Sequence, residues 1–134
     1  MKAGLRTLLL AQSSITAIVG ATGVYVTRAR QGAPLPHVVI EQMAEDNYPT
    51  LTETGRFRAV DFDLHCKAGT AEQADALAET VQTFIQDYAG AAGSQTIDAV
   101  ILDDRFDAPE KPVDGSDRTT HVVTLSLTVQ YHPS

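Results

Sequence analysis

Four histidines, a single cysteine and 17 acidic side chains are the residues of this chain that could do chemistry, and their spacing limits what that chemistry is. His65 and Cys66 are neighbours in a stretch that alternates polar and apolar residues, so on a strand they point to opposite faces and cannot share an ion. His37, His121 and His132 lie far apart, and no two histidines stand four apart on a helix. Cys66 falls in phase with Phe62 and Leu64, which directs it toward a core as a small hydrophobe rather than toward solvent as a nucleophile. Asp61 and Asp63 share the opposite, wet face, where two carboxylates could work as an acid–base pair or hold an ion. Asp103-Asp104 is a second acidic pair, and Asp114-Gly115-Ser116-Asp117 faintly echoes a calcium loop, although Asp-Gly is first of all a turn. Gly20 and Gly23 follow a helix rather than opening one, so they cradle no phosphate. Ser13 and Ser14 lack the pattern of a nucleophile elbow. No catalytic constellation, cofactor motif or metal motif emerges.

The elements that carry these residues follow from periodicity. Leu5, Leu8, Ile15, Ile18 and Val19 recur at helical spacing, and Gly20 suits a helix end, which predicts one docked helix over Leu5–Val19. Lys2 and Arg6 before Leu8-Leu9-Leu10 resemble a short secretory signal, but Gln12, Ser13, Ser14 and Thr16 interrupt the apolar run at once. Arg28 to Pro36 reads as an extended connection, and His37–Met43, rich in β-branched residues, as a strand. Glu45–Gly55 reads as a long polar hairpin tip. Phe57–Lys67 alternates cleanly as the returning strand. Thr70-Ala71-Glu72-Gln73 matches a capping box and opens a helix whose stripe is Ala74, Leu77, Ala78, Val81, Phe84, Ile85 and Tyr88. Gly90–Gly93 reads as a small-residue loop, Thr96–Phe106 as a strand, and Asp107–Asp117 as a charged loop. Val123, Leu125, Leu127, Val129 and Tyr131 form the last alternating strand. The expectation is one α+β domain over residues 1–134, ordered α-β-β-α-β-β. It has a mainly antiparallel four-stranded sheet, two helices packed on one face, and projecting hairpin loops.

Composition bounds the function. The 134 residues carry 10 Lys+Arg against 17 Asp+Glu, a net charge of −7, with a pI near 4.8. That balance argues against a module that grips nucleic acid through a basic face. Hydrophobic residues at 43% and charged residues at 20% describe a globular chain. One cysteine leaves no internal disulfide framework and fits a reducing compartment.

The order of features resembles the tail-completion, or tail-terminator, proteins of long-tailed phages and phage-derived particles such as gene transfer agents. The shared items are the apolar first helix, the glycine before Val24-Tyr25, and the linker Gln31-Gly32-Ala33-Pro34-Leu35-Pro36 running into His37-Val38-Val39-Ile40. They continue with Asp63-Leu64-His65-Cys66, the Thr70/Glu72/Ala74 helix opening, Asp103-Asp104-Arg105, and Val129-Gln130-Tyr131-His132. The Gly-Ala-Pro-Leu-Pro linker is the most specific of them, while the insert Ala108–Asp117 is longer than the family pattern. The resemblance implies a structural virion protein at the head–tail junction, assembled in the bacterial cytoplasm and without enzymatic activity. It would form a ring, usually of six copies, that ends the tail tube and joins it to a head-completion or connector protein while DNA passes through the lumen. Expected contact residues are Glu45, Asp46 and Asn47 on the first hairpin, Arg105, Asp107, Glu110 and Lys111 on the second, and Pro34, Leu35 and Pro36 in the linker. The competing expectation is a small-ligand or ion-binding module using Asp61 and Asp63.

Overall fold

In a computed structural model the described residues are 1–28, 33–49, 56–93, 95–107 and 120–132, with the side chains of 44–49, 56–57 and 132 outside the description. They form three helices, α1 (Lys2–Leu10), α2 (Ser13–Val19) and α3 (Ala71–Ile85). Six strands accompany them: β1 (Val24–Val26), β2 (His37–Pro49), β3 (Arg56–Ala68), β4 (Gly90–Ala92), β5 (Gln95–Asp107) and β6 (His121–His132). The sheet order is β1-β2-β3-β6-β5-β4. All pairings are antiparallel except β1 with β2, which run parallel.

The four-stranded, two-helix expectation is therefore corrected to a six-stranded, mixed, curled sheet with three helices. Each discrepancy has a local cause. On one continuous helix the stripe through Leu5, Leu8, Leu9, Ile15 and Val19 would also carry Gln12 into the core. The chain instead breaks there, with Gln12 extended at φ −91° and ψ 115° as the N-cap of α2. Two shorter helices then bury their apolar residues separately and leave the amide half-exposed, close to Ser14 Oγ. Strands β1 and β4 have three residues each, too few to show alternation, and Gly90-Ala91-Ala92 has poor β propensity. Their pairing with β2 and β5 makes them strands. The polar segment around residues 45–49, expected as a hairpin tip, continues β2 to Pro49 in register with β3.

The central strands keep their expected phases. Val60, Phe62, Leu64 and Cys66 on β3, and Val123, Leu125, Leu127, Val129 and Tyr131 on β6, point into one core. Ala74, Leu77, Ala78, Val81 and Ile85 of α3 meet them there. The Thr70 hydroxyl accepts a hydrogen bond from Gln73 N at 3.1 Å, as the capping pattern requires.

Helix α1 explains the curl. It contacts both edge strands, β1 and β4, which stand at opposite ends of the sheet order. One nine-residue helix can touch both only if the sheet bends around it. Arg6 Nε donates to Val24 O of β1 at 2.8 Å. Gly4 lies so near β4 that a Cβ would come 2.6 Å from Ala92 O. The helices thus fill the concave side, and the outer face belongs to alternate strand residues.

Candidate functional site

The outer face is built by register. Asp63 of β3 sits between Glu41 of β2 and Ser126 of β6; His65 sits between Val39 and Thr124; Asp61 pairs with Ala44 and Thr128. Ser126 Oγ donates to Asp63 Oδ1 at 2.8 Å. His65 Nδ1 is 2.9 Å from the hydroxyl of Thr124, a residue only 2% exposed. The other ring nitrogen, Nε2, lies 3.8 Å from Glu41 Oε2. Asp61 Oδ1 and Asp103 Oδ2 both approach Thr128 Oγ1, at 2.8 and 2.6 Å. That hydroxyl carries one hydrogen, so it can donate to only one of the two carboxylates at a time.

Asp61 and Asp63 thus share a face, as their spacing requires, but each is engaged by a different β6 hydroxyl. This face is the outer side of a curled sheet, not a concave site for a small molecule. An open groove lies elsewhere, between α2 and α3, lined by Gln12, Ser14, Glu79, Thr80, Thr83 and Phe84.

A bulge decides what Arg105 does. Between Leu102 and Asp104 the β5–β6 register slips, so Arg105 pairs with the core-facing Leu125 instead of following the outer face. Its guanidinium reaches α3, with Nη1 donating to Glu79 Oε2 at 2.9 Å and Gln82 Oε1 at 2.7 Å, and Nη2 donating to Asp75 Oδ1. Burial works against the charge, but the hydrogen bonds and charges of Glu79 and Asp75 outweigh it and raise the pKa. Cys66 is fully buried, and burial pushes its thiol up to about 12, against a smaller opposing pull from Arg105. A thiol held that far from ionisation is a packing group.

The expected contact residues are distributed as follows. Glu45, Asp46 and Asn47 lie on β2 opposite Val60, Ala59 and Arg58, near the end of the β2–β3 hairpin. The last β2–β3 pairs, Tyr48–Phe57 and Pro49–Arg56, run past Arg58, the final β3 partner of β6. Asp107 ends β5 and is exposed. Pro34 and Leu35 are exposed, and Pro36, joined to Leu35 by a cis peptide, is half-buried. The linker returns to the body at His37, whose Nδ1 lies 3.1 Å from Pro34 O and whose ring meets Tyr25 edge-on. Glu110, Lys111 and the calcium-like Asp114–Asp117 lie outside the described residues. Glu41 was missed. Its phase on β2 was readable, but its place beside Asp63 and His65 depends on a hairpin register that a long polar tip does not specify.

A family model described as "Tail completion protein gp17" matches residues 3–130. The chain belongs to this family. The tail completion proteins are structural components of phage tails, so this is a phage tail structural protein. The chain is also similar to one in the solved structure "Virion of native gene transfer agent (GTA) particle", at 20% identity. That match has a TM-score of 0.63 and covers 97% of this chain and 92% of the other. At that identity the likeness carries the fold, and it extends over almost the whole of both chains. No curated protein matches the sequence. Among the described residues, no helix of this tail completion protein is long and apolar enough to cross a membrane.

Proposed function

We propose that this tail completion protein is a ring-forming subunit, with six copies as the expected number, that ends the tail tube at the head–tail junction. It would dock the tube to the head-completion or connector protein and leave a channel for DNA. The family match across residues 3–130 carries the reading. The fold is compatible with it. A closed ring needs two different complementary patches per subunit. The sheet ends in two dissimilar edges, β1 parallel to its neighbour and β4 antiparallel, at opposite ends of the strand order. Among the described residues neither edge pairs with a further strand, although α1 contacts both, and strand edges are ready partners for a neighbour's backbone.

In this reading the β2–β3 hairpin end, with Glu45, Asp46 and Asn47, and the far end of β5, with Asp107, contact neighbours or the tube. Glu110 and Lys111 follow Asp107 in the chain and join it. Pro34, Leu35 and Pro36 add a linker contact, for which exposed Leu35 offers apolar surface. Arg105, the remaining expected contact residue, would meet a neighbour from β5 beside α3, to which it is bonded. The net charge of −7 suits a lumen that repels phosphate and lets DNA slide.

The test is the solution mass by light scattering across protein concentration and salt, with and without tail-tube protein. A discrete ring, formed alone or on adding tube protein, is the expected result. A monomer at every concentration that ignores tube protein would overturn the proposal.

A further inference from the structure

Glu41 and Asp63 are directly opposed on adjacent strands of the outer face. Like charges in such a cross-strand pair repel, and a cation bound between them would relieve that repulsion. His65, two residues along the same face of β3, completes the group: one donor atom from each residue lies within 4.8 Å of the other two. Each side chain is half-buried rather than fully solvated. The imidazole is also aimed, because its Nδ1 contacts the buried hydroxyl of Thr124 while Nε2 lies toward the Glu41 carboxylate. That is how a metal-ligating histidine is usually held: the second nitrogen is tied off, which fixes ring orientation and tautomer. Ser126 holds Asp63 in the same way from β6.

We propose that Glu41, Asp63 and His65 form a binding site for one divalent transition-metal ion, with Zn²⁺ as the best fit. The chemistry of the donors selects the class. One imidazole nitrogen with two carboxylates suits Zn²⁺ and its neighbours. Ca²⁺ wants six or more oxygens, and Mg²⁺ parts reluctantly with its waters. Ligand atoms about 2.0–2.2 Å from a tetrahedral ion are roughly 3.3–3.6 Å apart. The 3.8 Å between His65 Nε2 and Glu41 Oε2 is within a small side-chain rotation of that spacing. Each of the three side chains keeps part of its surface in solvent, so water completes the coordination. Asp61 is outside the group, because it shares the Thr128 hydroxyl with Asp103. The site stands independently of the ring reading and would pin β2 to β3.

The experiment is Zn²⁺ titration of the metal-stripped full-length protein by calorimetry, with Ca²⁺ titrated in parallel. One Zn²⁺ per chain is expected, with Ca²⁺ much weaker. Glu41→Gln and His65→Gln should each weaken Zn²⁺ binding by about tenfold or more. Glu72→Gln, an exposed carboxylate on α3 outside the group, should change nothing. Long-range ¹⁵N–¹H spectra of the unaltered protein should show the His65 Nε2 resonance moving on Zn²⁺ addition, which avoids reliance on a variant's folding. Absence of stoichiometric binding, equal affinity in the Glu41 and His65 variants, or a response at other histidines with His65 unmoved would each overturn the site. The cluster would then be an ordinary His65–Glu41 side-chain contact.

Discussion

Replacing Gly4 with alanine sets two effects of known sign against each other and tests how α1 closes the curl. Helix propensity favours the change: alanine is up to about 1 kcal/mol better than glycine in a helix interior, and less so in the first turn where Gly4 sits. Packing opposes it. The new Cβ would come 2.6 Å from Ala92 O and 3.4 Å from Gln95 Oε1. The nearest obstacle is backbone of β4, which cannot rotate away as a side chain would, so α1 must lift or β4 must shift. Overpacking of this kind costs about 1–3 kcal/mol. With a contact this short the upper half of that range applies, and the balance is a destabilisation of about 1–2 kcal/mol. For a domain of this size that lowers Tm by roughly 3–8 °C. Thermal unfolding followed by circular dichroism measures it, with Ala3→Gly, at an exposed position of the same helix, as the propensity control. An unchanged or raised Tm for Gly4→Ala would refute the argument, because α1 would then not be pressed against β4.

Arg105→Ala removes three hydrogen bonds to α3 and leaves Asp75 and Glu79 without their shared cation. Because both carboxylates are largely exposed, the expected loss is about 1–2 kcal/mol in denaturant unfolding, shrinking in high salt; Arg105→Lys recovers little, since an ammonium cannot fork to both. Cys66 makes the folded state favour the neutral thiol, so its contribution is intact below the ordinary value of 9.0 and is lost as pH rises from there toward about 12. Relative to Cys66→Ala, the protein should lose about 1 kcal/mol by pH 10, read from urea midpoints across pH; parallel pH profiles for the two proteins would contradict burial of the thiol.

Much of the fold was readable because long alternating strands carry their own phase. Phe57–Lys67 and Val123–Tyr131 announced which residues face the core, and the capping pattern at Thr70 announced α3. The rest depends on partners. Nothing in Gly90-Ala91-Ala92 signals a strand until β5 offers its backbone, and nothing in Val24-Tyr25-Val26 signals a parallel neighbour until β2 lies beside it. The break at Gln12 is a compromise between two helical stripes and one polar side chain, which a periodicity count over Leu5–Val19 averages away. These short additions are also the strands that define the sheet's edges, so the elements hardest to read are those a ring would use.

The site was half legible for a related reason. Alternation puts Asp61, Asp63, His65 and Lys67 on one face, and that survives in the structure. Which of them act together is a matter of register across strands, and bulges reset register without leaving a mark in composition. The bulge after Leu102 turns Arg105 inward to α3, away from the face that simple alternation gives it, and sends Asp103 to Thr128. The bulge between Gln42 and Ala44 comes just after Glu41, so from His37 to Gln42 β2 stays in uninterrupted step with β3. A one-residue slip of that segment would turn Glu41 into the core and Ile40 out to solvent, and burial of Ile40 forbids it. The hydrophobic residue next in sequence therefore holds Glu41 opposite Asp63, and core packing enforces the repulsion that a bound cation would relieve.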